Sequence, residues 1–469
     1  MAKQRPTDAL RQGYKLGQAG KFAEAIPYLE EAVRLEPENG LALNNLGFAY
    51  NKTRQSAKAI PHLKKAVRLA PENVKYLTNL GAAYNRTERY NKAILHLQKA
   101  VSLAPENPTA LNNLGFAYNE TSQHDEAFQH LLKAVALAPK DAIIQTNLGD
   151  CYCSTEQYEK AIVHLEKAVE LAPIYVSTFN NLGDSYFFMG KYDKAILHLE
   201  KAVELAPDAI NLTNLGLAYN KSKQFDKAIS HLEKAVQLDP EDVSTLNNLG
   251  EAYIGAGQYD KAIPHLEKAV QLDPEDVTTL NNLGAAYNGA GYCDKAIPHL
   301  ERIVQVKPEN VTAHYNLGFA YNETGQHDKA LPHLLKVIDV RPKNVITLNN
   351  LGIAYNGTRQ YDKAILYLLK VVQVKPENVQ ALNNLGVSYS RTGHYDKAIP
   401  HFEKAVQLEP GNALYRNNLD VAYTETGQSD KAILDSQKSS AISKRYRPAQ
   451  ALELRTIAPS LKEESCPHR

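Results

Sequence analysis

Apolar residues recur at helical spacing along most of the chain, in pairs of short segments separated by polar turns. Segments 41–52 and 56–70 illustrate the pattern. In the first, Leu43, Leu46 and Tyr50 fall on one side of a predicted helix. In the second, alanine, isoleucine, leucine and valine residues form another such stripe. The pattern therefore predicts two consecutive helices joined by a short polar turn.

The same pattern returns at a fixed interval. Pro71 ends the second helix, because proline cannot continue the helical hydrogen-bond ladder. The prolines at this position of the repeats are Pro37, Pro71, Pro105, Pro139, Pro173, Pro207, Pro240, Pro274, Pro308, Pro342, Pro376 and Pro410. Each step is 34 residues, except for the 33 residues from Pro207 to Pro240. A regular period of this length is typical of a repeat protein.

These intervals divide the chain into thirteen repeats between two short flanking segments. The predicted repeats are 6–39, 40–73, 74–107, 108–141, 142–175, 176–208, 209–242, 243–276, 277–310, 311–344, 345–378, 379–412 and a degenerate cap at 413–443. Residues 1–5 are an N-terminal extension, and residues 444–469 are a C-terminal tail. A 34-residue helix pair cannot bury both of its apolar stripes alone, so the repeats must stack into an all-α solenoid. Gly47, inside the first helix, predicts a close approach by another helix.

Composition narrows the possible functions. Fifty-three basic residues nearly balance 52 acidic residues, which argues against nucleic acid or an anionic membrane as partner. No apolar run is long enough to span a bilayer, and no apolar stretch follows the first ten residues as it would in a secretory signal. We therefore expect a cytoplasmic protein. No nucleotide-binding, metalloprotease or hydrolase motif is present, so we expect neither an enzyme nor a bound cofactor or metal.

The residues that punctuate each repeat resemble the tetratricopeptide repeat (TPR) family. The resemblance rests on Leu-Gly, Tyr, two alanines and a closing proline at matching offsets, and it covers residues 6 to about 440. It implies a right-handed α-solenoid of about thirteen helix-turn-helix repeats. It also implies a non-catalytic scaffold that binds partner polypeptides in a groove lined by the first helix of each repeat. The cationic clamp by which some members hold chaperone tails is mostly missing, since only Asn45 and Lys75 match it.

One asparagine recurs in the first helix of twelve repeats, although asparagine disfavours helix interiors. This asparagine ladder consists of Asn45, Asn79, Asn113, Asn147, Asn181, Asn214, Asn248, Asn282, Asn316, Asn350, Asn384 and Asn418. A carboxamide carries an acceptor and two donors, the set needed to bridge one peptide unit of a bound chain. A similar ladder in the TPR superhelix of the O-linked N-acetylglucosamine transferases implies that these asparagines bind an extended partner segment. Hydrogen bonds within the array itself are the alternative.

Other positions on the first helix refine the predicted partner. Asn44 and Asn51, with their counterparts in other repeats, are predicted to lie beside the ladder. The predicted apolar patches are Phe48, Phe116, Phe187, Phe188 and Phe319. Most of these groups are uncharged, which favours binding to a peptide backbone. A second ladder, of histidines, occupies one position of the second helix. Its members are His62, His96, His130, His164, His198, His231, His265, His299, His333 and His401. We interpret these histidines as structural, because their expected separation of about 10 Å is too wide for a shared metal ion.

The sequence is compatible with two other functions. Nearly identical repeats could let the solenoid ends stack between copies, which would give homo-oligomers or fibres without a separate partner. The array could also be the recognition arm of a multi-subunit enzyme.

Overall fold

The computed structural model describes residues 6–428, 430 and 431, and within them every regular element is an α-helix. The predicted extension 1–5, the second half of the predicted cap 413–443 from residue 432 onwards, and the tail 444–469 lie outside the described residues. The first helices of the repeats are α1(Pro6–Gln18), α3(Gly40–Lys52), α5(Val74–Asn85), α7(Pro108–Glu120), α9(Ala142–Ser154), α11(Val176–Phe188), α13(Ala209–Lys221), α15(Val243–Gly255), α17(Val277–Ala290), α19(Val311–Glu323), α21(Val345–Gly357), α23(Val379–Arg391) and α25(Ala413–Glu425). The second helices are α2(Phe22–Leu35), α4(Ser56–Leu69), α6(Tyr90–Leu103), α8(His124–Leu137), α10(Tyr158–Leu171), α12(Tyr192–Leu205), α14(Phe225–Leu238), α16(Tyr259–Leu272), α18(Cys293–Val306), α20(His327–Val340), α22(Tyr361–Val374) and α24(Tyr395–Leu408). The predicted all-α repeat fold is confirmed.

Short polar signals set the ends of these helices. The Asn39 side chain accepts hydrogen bonds from the backbone N–H groups of residues 41 and 42 and so caps α3. Each second helix stops before its proline, as α4 does two residues before Pro71. The turn between the two helices needs a left-handed residue, which is Gly257 in one repeat (φ 72°) and Arg54 in another (φ 60°). Glycine adopts this conformation without the steric cost that other residues bear.

The two helices of a repeat pack closely at the glycine of the first helix. A Cβ atom built on Gly250 would lie 2.5 Å from Cδ2 of Leu266, in the second helix of the same repeat. Leu266 is completely buried. The close approach predicted from the glycine pattern is therefore present, and it explains why a residue that weakens helices recurs in their interior.

The chain divides into two compact units, Met1–Ala218 and Tyr219–Arg469, which we call the N-terminal and C-terminal units. Within each unit, the helices other than α13 pack on their neighbours in the chain, and the first helices of successive repeats also contact one another. Inside a unit, successive second helices make no such backbone contact among the described residues. Because first helices lie closer together than second helices, each unit curves with its first helices on the inner side.

Candidate functional site

The exposed side of each first helix forms one narrow stripe. In α3 this stripe consists of Leu41, Asn45, Phe48 and Lys52, while the residues between them are mostly buried against the neighbouring helices. Spacings of four, three and four residues place these side chains on a single face of a helix. We call the stripes of one unit, taken together, its inner face. The exposed side chains of this face are accessible to a partner.

The asparagine ladder lies on this stripe in every repeat that carries it. Asn45, Asn79, Asn113, Asn147, Asn181, Asn214, Asn248, Asn282, Asn384 and Asn418 are partly exposed, whereas Asn316 and Asn350 are buried. The helical register predicted for the ladder therefore agrees with the structure. The neighbouring positions were predicted less well. Asn44 and Asn51 are buried between repeats, with 0% and 3% of their surfaces exposed, so their predicted place on the inner face was wrong.

Some ladder side chains hydrogen-bond within the array. Nδ2 of Asn79 donates to Oδ1 of Asn44, in the preceding repeat, at 2.8 Å. The same bond joins Asn147 to Asn112, Asn282 to Asn247 and Asn418 to Asn383, at 2.8 to 2.9 Å. Asn181 donates instead to a carboxylate oxygen of Asp150, at 2.8 Å. We call these five the tied rungs, because a bond to the preceding repeat fixes each carboxamide.

Asparagines six residues after the ladder positions hold the ladder backbone. Nδ2 of Asn220 donates to the main-chain carbonyl of Asn248, 28 residues later, at 2.8 Å. Equivalent bonds of 2.8 to 3.1 Å start from Asn51, Asn85, Asn288, Asn322 and Asn356. These asparagines therefore join repeats and do not face a ligand. The spacing in the sequence is enough to predict this difference. A residue six positions after a ladder asparagine is rotated by about 240° around the helix and therefore points away from the ladder.

Six ladder side chains make no hydrogen bond to any described residue. These untied rungs are Asn113, Asn214, Asn248, Asn316, Asn350 and Asn384. In Asn350 the Nδ2 atom is buried without a partner. A buried amide without a hydrogen bond costs free energy, because it has lost water without gaining another acceptor. In the other five untied rungs no side-chain N or O atom is both buried and unpaired, so these carboxamides retain both donors and the acceptor for a molecule on the inner face.

Apolar side chains lie between the rungs. Phe48 and Phe116 occupy the stripe position one turn after the asparagine, as predicted, and each contacts an aromatic ring at the start of the preceding second helix. Phe188 is the most open, with 64% of its surface exposed, and stacks on Tyr158 at 5.0 Å between ring centroids. The inner face therefore alternates amides with apolar surface.

The histidines of the second ladder are half-buried. In most repeats the ring stacks on the tyrosine of the first helix, as His96 does on Tyr84 at 5.7 Å. Burial lowers the pKa of nine of these histidines, so they stay neutral at physiological pH. Among the described residues, no group of three or more His, Cys, Asp or Glu is placed to hold a metal ion. These contacts support the structural interpretation of the ladder.

The three cysteines in the described part of the chain are poorly suited to nucleophilic chemistry. Burial raises the pKa of the Cys151 thiol to about 12, and it raises that of Cys153 and Cys293 to about 11. Thiols with such pKa values remain protonated near neutral pH and are weak nucleophiles.

In the described part of the chain, no helix is both long and apolar enough to cross a membrane.

Comparisons with solved structures identify the fold. The APC/C hetero-tetramer Cut9-Hcn1 contains a chain similar over 90% of this protein and 97% of its own length, with 15% identity and a TM-score of 0.50. A tetratricopeptide repeat protein from Parabacteroides merdae matches over 53% of this chain and 98% of its own, with 20% identity and a TM-score of 0.42. YrrB, described as a TPR protein with an unusual peptide-binding site, matches over 39% and 95%, with 23% identity and a TM-score of 0.36. At these identities the likeness concerns the fold alone.

Sequence comparison identifies the family. No curated protein sequence matches the chain. Profiles described as tetratricopeptide repeat match residues 10–74, 379–412 and a series of overlapping segments from 107 to 377, and a TPR repeat profile matches 83–122. The chain therefore belongs to the tetratricopeptide repeat family.

Proposed function

We propose that this protein is a non-catalytic interaction scaffold that binds extended segments of partner proteins along the inner faces of its two units. The ladder asparagines are the proposed backbone-binding residues. The observation that carries the proposal is the set of untied rungs, whose carboxamides have no partner among the described residues. A peptide backbone offers one donor and one acceptor at every residue and would complement them.

The spacing of the rungs favours an extended ligand. Successive first helices are in contact, so neighbouring rungs are about 10 Å apart. An extended chain advances about 3.3–3.6 Å per residue, and every third residue would therefore meet a rung. A segment of about 15 residues would cross five rungs within one unit. Backbone recognition demands little of the partner's sequence, which leaves the side chains between the rungs to select it.

The distinction between tied and untied rungs supplies a matched experiment. A displayed library of unstructured peptides, each about 15 residues long, would first provide a binder to the full-length chain. The double variant Asn248→Ala/Asn316→Ala should weaken that binder at least about fivefold, since each hydrogen bond contributes about 0.5–1.5 kcal/mol. Its thermal unfolding midpoint should not fall, because neither side chain bonds within the array and alanine favours a helix interior more than asparagine does. The matched variant Asn282→Ala/Asn418→Ala should lower the midpoint, because it removes two bonds between repeats.

Two results would refute the proposal. Unchanged affinity in the folded Asn248→Ala/Asn316→Ala variant would show that the ladder does not bind the peptide. Alternatively, the library could yield no binder while light scattering shows concentration-dependent association of the pure protein. That combination would favour the self-assembling solenoid over a scaffold for extended segments.

A further inference from the structure

Charged residues on the inner face of the N-terminal unit are separated by sign. The stripe positions of its first three repeats carry only basic charges, Arg11, Lys52, Lys75 and Arg86, which we call the basic segment. The stripes of its next three repeats carry only acidic charges, Glu120, Asp150 and Asp184, which we call the acidic segment. This separation does not follow from composition, since the whole chain has nearly equal numbers of basic and acidic residues.

No ion pair joins any of these seven side chains to another described residue. Lys52 lies over the Phe48 ring, with Nζ 5.4 Å from its centroid. The Asp150 carboxylate accepts hydrogen bonds from the amides of Asn119 and Asn181, at 3.0 and 2.8 Å, and thus has neutral partners only. Ion pairs do form elsewhere on the described surface, for example between Lys65 and Glu38 at 2.7 Å. The inner face of this unit therefore presents two blocks of uncompensated charge.

The acidic segment is also partly desolvated. Burial raises the pKa of Asp150 and of Asp184 to about 6, which means that the folded protein disfavours their charged forms. A cation placed beside them would offset this cost. The Tyr158–Phe188 stack begins one turn after Asp184 and offers an aromatic surface for the stem of a lysine or the plane of a guanidinium. The chemistry of this region thus fits a basic side chain.

We propose that the N-terminal unit selects partner segments in which a block of acidic residues is separated from a block of basic residues. This inference rests on the proposed function, because it assumes that an extended segment lies along the inner face. The acidic block binds the basic segment, and the basic block binds the acidic segment. Three repeats separate the centres of the two segments, a distance of about 30 Å, which an extended chain covers in about nine residues.

Three synthetic peptides test this proposal with the full-length chain. The first carries four glutamates and four lysines in two blocks whose centres are about nine residues apart. The second has the same composition with alternating charges, and in the third the charged residues are replaced by serine and asparagine. Fluorescence anisotropy at low salt should show that the block peptide binds about tenfold more tightly than the alternating one, since a few exposed ion pairs suffice for that ratio. At about 0.5 M salt most of this advantage should disappear, because the charges are screened.

Variants locate the effect on the acidic segment. Asp150→Asn/Asp184→Asn should reduce the tenfold advantage to about fivefold, since two of the seven charges available for ion pairs are lost. The control Glu159→Gln/Glu170→Gln removes two exposed carboxylates from the second helix α10 and should leave the advantage unchanged. A photocrosslinker at the lysine end of the block peptide should label repeats four to six, and one at the glutamate end should label repeats one to three.

The outcomes separate this proposal from the function on which it rests. Equal binding of all three peptides would overturn the charge selection and leave the scaffold function in place. So would an advantage that the Asp150→Asn/Asp184→Asn variant retains in full. Failure of all three peptides to bind would count against both proposals.

Discussion

The packing of Gly250 against Leu266 allows a quantitative test of the repeat core. Gly250→Ala adds a methyl group that would lie 2.5 Å from two atoms of the Leu266 side chain. Overpacking of this kind costs about 1–3 kcal/mol. Alanine favours a helix interior over glycine by about 1 kcal/mol, so the net loss should be about 0–2 kcal/mol.

The sign of the effect should depend on Leu266. Leu266→Ala alone should cost about 2–5 kcal/mol, since it opens a cavity at a completely buried position. In that background Gly250→Ala no longer meets the leucine, and it should stabilise the protein by about 1 kcal/mol. The coupling energy between the two substitutions should therefore equal the overpacking cost of about 1–3 kcal/mol.

Hydrogen exchange measured by mass spectrometry suits this test, because long repeat arrays do not unfold in one step. Exchange should be followed in α15 and α16, the two helices of the substituted repeat. Gly17→Ala is the control, since a Cβ atom there would have no other heavy atom within 4 Å and the change should stabilise α1 slightly. If Gly250→Ala destabilises α15 equally with leucine and with alanine at position 266, the close-approach explanation of the repeated glycine is wrong.

Two further predictions follow from the stacking of the repeats. Acidification from pH 7 to pH 5 should lower the urea midpoint measured by circular dichroism, because the unfolded chain binds protons at histidines whose pKa is lowered in the fold. His265→Tyr should reduce this loss, as position 367 already carries a tyrosine stacked on Tyr355 at 5.5 Å; an unchanged acid response would contradict the role assigned to the histidines. Deletion of a whole repeat, 243–276, should leave a shorter folded protein with a slightly lower melting temperature, whereas deletion of 243–259 should be far more damaging. Equal damage from both deletions would argue against nearest-neighbour stacking.

The predicted helices agree well with the structure because their signals are local. Segments 41–52 and 56–70 differ from α3 and α4 by one residue at one end each, since capping residues and prolines act on their own neighbours. The register of the ladder followed from periodicity for the same reason. The hydrogen bonds of the ladder could not be predicted, because they depend on how adjacent first helices sit against each other. Asn79 is tied through Asn44, whereas Asn113 follows a repeat with threonine at that position and stays untied.

Asn51 and its counterparts were wrongly predicted to lie beside the ladder. Residue type alone suggested that Asn51 and its counterparts belong with the ladder, although helical rotation places them on another side of the helix. Their role became visible only from their bonds to main-chain carbonyls of the next repeat. The separation of basic and acidic residues in the N-terminal unit could not be predicted from the sequence either. Its seven charged residues are recognised as one surface only once the exposed stripe of each first helix is known.

The short sequence span of the bonds between repeats bears on how the protein is made. Tyr186 reaches back 20 residues to Glu166, Asn220 reaches forward 28 to Asn248, and Asn79 reaches back 35 to Asn44. Such low contact order favours rapid folding, within microseconds to milliseconds for helical proteins. A ribosome adds about 5–20 residues per second, so a 34-residue repeat needs about 2–7 s to be synthesised. Each repeat can therefore dock onto its predecessor before the next has left the ribosome, and the growing chain never exposes more than about one repeat's apolar stripes at a time.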